Sequence, residues 1–161
     1  MRALRWTIVA VAIMAAAVSS PAHATDTRID GGWIGPIPCA FTNFDPTTGH
    51  FECEGSTLWD GALTGITTYH VDGTFDLATG DGSGTVAETF YGIATADRSS
   101  GTLAFNETFT IDGATNAIHL VADIIEGSGD WVGSSGQLTF VGVQFSGVAG
   151  HGGYSGTWVR P

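Results

Sequence analysis

Residues 85–112 read TVAETFYGIATADRSSGTLAFNETFTID, and this stretch decides the fold. Two runs, Val86-Ala87-Glu88-Thr89-Phe90 and Phe105-Asn106-Glu107-Thr108-Phe109, repeat one pattern on either side of the polar turn Asp97-Arg98-Ser99-Ser100-Gly101. Side chains alternate faces along a strand, so Val86, Glu88 and Phe90 share one face, as do Phe105, Glu107 and Phe109. Aromatic and β-branched residues in period-two alternation, joined by a short turn, predict an antiparallel hairpin. Its apolar face carries a glutamate in the middle of each strand.

The same punctuation extends in both directions. Strand-like runs are predicted at 51–59, 63–77, 85–94, 102–112, 117–126, 137–145 and 153–159, separated by glycine and aspartate clusters. In the second run Tyr69, Val71 and Phe75 share one face and His70, Asp72 and Thr74 the other, with Gly65 and Gly73 expected at bends or bulges. Residues 117–126 are apolar on both faces, the pattern of a strand covered on both sides. No segment beyond residue 24 has a sustained helical period. The expectation is an all-β chain, a single antiparallel β-barrel of about eight strands, with a β-sandwich as the alternative. Residues 61–161 form the expected barrel body. Residues 25–60 read as an irregular segment, broken by Gly31, Gly32, Gly35, Pro36 and Pro38, that ends in the first strand.

At the N-terminus, Arg2 and Arg5 precede an almost wholly apolar stretch over 6–18, and Ala22-His23-Ala24 has the small-x-small pattern of a secretory cleavage site. That stretch is too short for a spanning helix. Residues 1–24 therefore read as a signal peptide cleaved after Ala24, and the mature chain as secreted or extracytoplasmic, without a membrane anchor. It keeps three arginines (Arg28, Arg98, Arg160) and no lysine against 16 acidic residues. Such a surface repels nucleic-acid phosphates and anionic lipid headgroups, so neither is an expected partner. Cys39 and Cys53 are the only cysteines, and an exported chain is expected to pair them as a disulfide. Closing a loop of this size stabilises by about 3 kcal/mol in the chain-entropy picture.

The candidate site is the apolar face of the hairpin: Glu88 and Glu107 with Phe90, Phe105 and Phe109 around them. A carboxylate among apolar groups is costly unless paired, hydrogen-bonded or protonated. Two such groups can share a proton or orient the polar end of a greasy ligand. The opposite reading is that a one-residue register change turns both glutamates to solvent and Thr89, Thr108 and Thr110 inward. No residue is assigned a catalytic role, and no metal or cofactor is expected. His70 reads as exposed, His119 as a buried histidine in its apolar strand, and His151 as part of a glycine loop at the rim. No spacing gathers the histidines as metal ligands, no serine sits in a nucleophile elbow, and the Gly-Ser-Gly runs lack the helix of a phosphate-binding loop.

Several turn-and-strand motifs carry a family resemblance: Gly82-Ser83-Gly84-Thr85, Ser100-Gly101-Thr102-Leu103, Gly127-Ser128-Gly129-Asp130-Trp131-Val132-Gly133, Gly136-Gln137-Leu138-Thr139-Phe140-Val141-Gly142 and Gly153-Tyr154-Ser155-Gly156-Thr157-Trp158. In their order, residues 61–161 resemble small bacterial proteins of the allene oxide cyclase-like and dirigent-like β-barrel group. The resemblance implies an eight-stranded barrel with an apolar cavity that holds a hydrophobic substrate in a productive shape without a cofactor. In its cyclases a glutamate inside the barrel recurs, and trimers are familiar in the group. Three functions follow as expectations. One is a binder of a small hydrophobic molecule, the second a cofactor-independent cyclase or isomerase, and the third a structural or interaction barrel with a filled core. In the third case the outward residues Val141, Val143 and Phe145 offer a homo-oligomer interface.

Overall fold

The structure is a computed structural model, and it describes residues 25–35, 39–144 and 150–161. The expected signal peptide and Phe145 lie outside the described residues. Nine strands are present: β1 (Thr25–Gly35), β2 (Ala40–Phe44), β3 (His50–Gly61), β4 (Leu63–Phe75), β5 (Gly82–Ala94), β6 (Ser100–Asp112), β7 (Ala117–Gly127), β8 (Ser135–Val143) and β9 (Gly150–Arg160). A 3-10 turn, Gly129–Trp131, is the only helical element among the described residues, and none is long and apolar enough to cross a membrane.

All pairings are antiparallel, in the order β1-β9-β8-β7-β6-β5-β4-β3-β2. A further pairing of Gly31–Ile34 with Leu58–Gly61 joins β1 to β3 and closes an eight-stranded barrel. β2 is the ninth strand. It pairs with the other half of β3, opposite Phe51 to Glu54, where β1 has left that edge. The strands from β3 onward fall where alternation placed them. Residues 25–60 correct the expectation of an irregular segment, because they supply β1, β2 and β3, two of them barrel strands. Glycines in β1 read as breakers, yet they sit in register with the neighbouring strand: Gly31 faces Tyr154 and Gly32 faces Gly153.

Glycine has a steric task throughout this barrel. Eight aromatic residues stand directly opposite a glycine in register: Trp33–Gly152, Phe51–Gly73, Trp59–Gly65, Tyr69–Gly55, Phe75–Gly82, Phe109–Gly84, Tyr154–Gly31 and Trp158–Gly136. A Cβ at Gly152 would lie 2.7 Å from Trp33 Nε1, at Gly84 2.8 Å from the Phe109 ring, and at Gly82 2.9 Å from the Phe75 ring. The glycines let large rings lie flat across the next strand, a known device in small barrels. The same cause explains Gly65 and Gly73, which produce no bulge in β4. They lie under Phe90 and under Phe51 with Phe109, respectively. The register shift in the barrel wall falls instead between Ala104 and Phe105.

The two ends differ. At one end the chain between β7 and β8 folds over the opening and inserts Trp131, fully buried, edge-on to Trp158 and stacked with Phe90. Its indole N–H donates to Ser99 Oγ at 2.9 Å. At the other end, the turns after β2, β4 and β6 are alike. Asp45, Asp76 and Asp112 each accept backbone N–H groups two or three residues on, and Gly49, Gly80 and Asn116 take the positive φ that closes each turn. The Cys39–Cys53 disulfide ties β2 to β3 with Cα atoms 5.5 Å apart, consistent with an oxidising, extracytoplasmic setting.

Three further expectations are corrected. β7 is covered on its inner face alone, leaving Ile125 at 56% exposure, because its outer face borders no second layer. His119 is exposed on that outer face instead of buried. His151 belongs to β9, paired with Ile34 and Val143, and points to solvent.

Steric packing around the glycines is testable. Gly31→Ala forces a Cβ into the Asp60 carbonyl and the Tyr154 ring and is expected to destabilise by about 2 kcal/mol or more. Gly153→Ala, whose Cβ would meet only the Gly31 carbonyl at 3.4 Å, is expected to change stability by less than about 0.5 kcal/mol. Urea unfolding of the two variants checks the contrast, and equal effects would refute the packing account.

Candidate functional site

Alternation in β5 and β6 puts Glu88 and Glu107 on the inner face. Glu88 stands opposite Tyr69 and Phe105, and Glu107 opposite Val86 and Ala122, so the carboxylates are diagonal neighbours across the β5–β6 ladder. They are 7% and 3% exposed, the two carboxyl side chains among the buried described residues. Beside them lies a cavity of about 110 Å³ on the disulfide side of the barrel. Its deep wall is Trp59 and Phe140. Val71, Val86, Phe109 and Leu120 form its sides, and Gly35, Cys39, Gln144 and Gly150 border it toward the barrel end.

A chain of polar groups reaches Glu88 through this apolar packing. Trp59 Nε1 donates to Thr57 Oγ1 at 2.9 Å, and the Thr57 and Thr67 hydroxyls are 2.6 Å apart. Thr57 Oγ1 also lies 3.4 Å from Glu88 Oε1. Each hydroxyl has one proton, so between them the two threonines can bond each other and still donate to Glu88. Their diagonal placement sets the two carboxyls side by side, so that each acts on the other's ionisation.

Burial pushes Glu107 well above the ordinary glutamate range, and the Glu88 charge and hydrogen bond act in the same direction. Burial also raises Glu88, but hydrogen bonds from Glu107, Thr67 and Thr57 favour its ionised form. Both shifts run upward, so the two carboxyls titrate as a unit and hold a proton more strongly than a free glutamate does. Burial and the Glu88 charge together raise the Tyr69 phenol.

Three buried polar atoms have no hydrogen-bond partner among the described residues: Trp33 Nε1, Glu107 Oε1 and Gln144 Oε1. All three residues line this one cavity. A buried polar atom left unpaired costs roughly 1–3 kcal/mol, so their convergence marks a place for something that hydrogen-bonds.

Of the residues singled out in sequence, the structure brings Glu88, Glu107 and Phe109 to the cavity. Phe90 and Phe105 are placed elsewhere, in the filled part of the core, packed against Trp59 with ring centres 5.0 and 5.7 Å away. They point inward as alternation requires, but the Trp131 plug and its neighbours fill their level of the barrel. Trp33, Thr57, Trp59, Tyr69 and Gln144 were missed as site residues. Alternation within 51–59 and 63–77 puts Thr57, Trp59 and Tyr69 on the inner face, whereas nothing local marks Trp33 or Gln144. The β3–β4 register also gathers His50, Glu52 and Asp72 with ligand atoms within 4.8 Å, on the solvent face and away from the cavity. His50 Nε2 and Asp72 Oδ1 are 3.0 Å apart there. No family model, curated protein or solved structure matches this chain.

The carboxyl pair makes a signed prediction. A folded-state pKa above the ordinary value gives stability that is full below that value and lost as pH rises through the shifted one. The wild type should therefore lose stability as pH rises above the ordinary glutamate range, from about pH 5 upward, and Glu107→Gln should show a flatter profile. Asp45 and Asp97, both lowered to about 2, act only in the acid range and leave this window clear. Thermal melts across the range check it, and identical slopes would refute the shared-proton assignment.

Proposed function

We propose that this chain is an exported β-barrel that binds a small, largely apolar molecule bearing a polar group. The observation that carries the reading is the cavity of about 110 Å³ on which three unpartnered polar atoms converge. A barrel serving only as a filled scaffold has no reason to leave a donor and two acceptors unpaired around one void. Export is supported by the basic and apolar leader and by the disulfide. Kinship with the allene oxide cyclase-like barrels is supported by the order of turns and strands and by the eight-strand closure. The chamber favours a much smaller ligand than the oxylipins of that group, since an apolar cavity of about 150 Å³ holds one benzene.

A second reading, a cofactor-independent cyclase or isomerase, is favoured by one observation. Glu107 as an acid beside the Glu88 carboxylate supplies both partners of a proton transfer inside the cavity.

Native mass spectrometry of the mature protein tests the first reading, with methyl NMR as the companion measurement. The wild type should carry a small added mass, or shift its Val71, Val86 and Leu120 methyls with a four-carbon alcohol. Val86→Phe, whose ring fills the chamber, should do neither. A bare wild type with unmoved methyls would leave the filled scaffold. For the enzymatic reading, Glu107→Gln should still bind the carried molecule but convert it at least about a hundredfold more slowly. Unchanged turnover would remove Glu107 from any proton transfer.

A further inference from the structure

We infer that the chamber selects a small aliphatic primary amine, bound as its ammonium ion against the Glu88–Glu107 pair. This rests on the small-molecule reading above and names the chemistry of the ligand.

Charge comes first. Thr57 Oγ1 lies 3.4 Å from Glu88 Oε1 and is backed by the Thr67 hydroxyl, an arrangement that favours a negative charge on the pair. Among the described residues, no arginine, lysine or histidine lines the cavity to answer it. A buried charge without a counter-charge is expensive, and a cation of the right size removes that cost. Hydrogen-bond demand comes second. The unpartnered atoms are two acceptors, Glu107 Oε1 and Gln144 Oε1, against one donor, Trp33 Nε1. A primary ammonium brings three donors for the acceptors, and a hydroxyl elsewhere on the ligand would serve the indole. The walls agree with a cation: Trp33, Phe51, Trp59, Tyr69, Phe109 and Phe140 line the cavity, and aromatic faces attract cations. The exterior adds to this, since the expected mature chain has three arginines against 16 acidic residues, 14 of them outside this pair, and such a surface raises the local concentration of cations. Volume sets the size, because a chamber smaller than one that holds benzene takes about five heavy atoms.

The competing occupant is a neutral alcohol of the same shape, which would satisfy hydrogen bonds but leave the charge unanswered. Isobutylamine and isobutanol differ in this one group, so we would titrate both into the full mature protein. The methyl resonances of Val71, Val86 and Leu120 report on the chamber. At pH 7 the amine should bind at least about tenfold more tightly than the alcohol. In Glu88→Gln/Glu107→Gln, which keeps the shapes and removes the charge, the preference should fall to within about twofold. In the wild type it should also disappear toward about pH 4, below the ordinary glutamate value, where both carboxyls are protonated. Among the described groups facing the pair, Tyr69 on β4 is the one other titratable side chain, and it stays neutral across that range.

Equal affinities, or tighter binding of the alcohol, would overturn the amine inference and leave the cavity reading standing. So would an amine preference unchanged at low pH, which decides the matter even if the double variant fails to fold. Amine-induced shifts confined to exterior residues would show only surface attraction to an acidic protein and would likewise overturn it. If neither molecule moves the chamber methyls, the small-molecule reading falls with it.

Discussion

An eight-stranded barrel is narrow: its interior has room for alternate side chains and little else. This chain sends tryptophan, tyrosine and phenylalanine into that space from most of its strands. They fit because glycine stands opposite eight of them, so that each ring lies over the neighbouring backbone instead of colliding with a side chain. Closure by β1, the plug of Trp131 and the stacking of Phe51 on Phe75 all depend on this pairing of large with absent side chains. Glycine is unfavourable in an ordinary strand, and 24 of them in a chain of 161 would weaken a sheet that did not need the room.

The cavity begins beside the two glutamates, and Trp33, Phe51, Tyr69 and Phe109, rings that stand opposite glycines, line it. Trp59, Phe90, Phe105 and Phe140 fill the barrel on one side of the two glutamates. On the other side, Phe51, Val71, Val86 and Phe109 form a second cluster that does not close against the first. The pair therefore has a packed hydrogen-bonding chain behind it and open space before it. An apolar interior tolerates this because a shared proton leaves one charge instead of two, with hydroxyl donors turned toward it. Arranged so, the carboxyls can meet a polar ligand group with little movement, and an empty chamber leaves Glu107 Oε1, Gln144 Oε1 and Trp33 Nε1 without partners.

The exterior follows a different logic. Aspartates anchor the turns through their own backbone, and the remaining acidic groups point to solvent, which suits a soluble, strongly charged surface. β2 covers part of the β3 edge that β1 does not reach, and the disulfide holds it there. Cys39 and Cys53 also line the cavity, so the same clasp that protects an open edge shapes the chamber.

Alternation along 85–112 determined the hairpin and the shared inner face of Glu88, Glu107 and Phe109, because strand periodicity is a local property of the backbone. Turn chemistry likewise determined the strands from β3 onward, and the class of fold with them. It did not reveal β1: Gly31, Gly32 and Gly35 look like breakers until Tyr154 and Trp33 lie across the strand pairs they belong to. Which inward residues meet a ligand and which fill the core was decided by tertiary structure alone. Phe90 and Phe109 have the same pattern around them in sequence, yet one is sealed beneath the Trp131 plug and the other faces open space. Trp33 in β1 and Gln144 just after β8 reach the cavity from positions distant in the chain. A void is a property of the closed barrel, set by how side chains from all eight strands divide the interior, and no single segment encodes it.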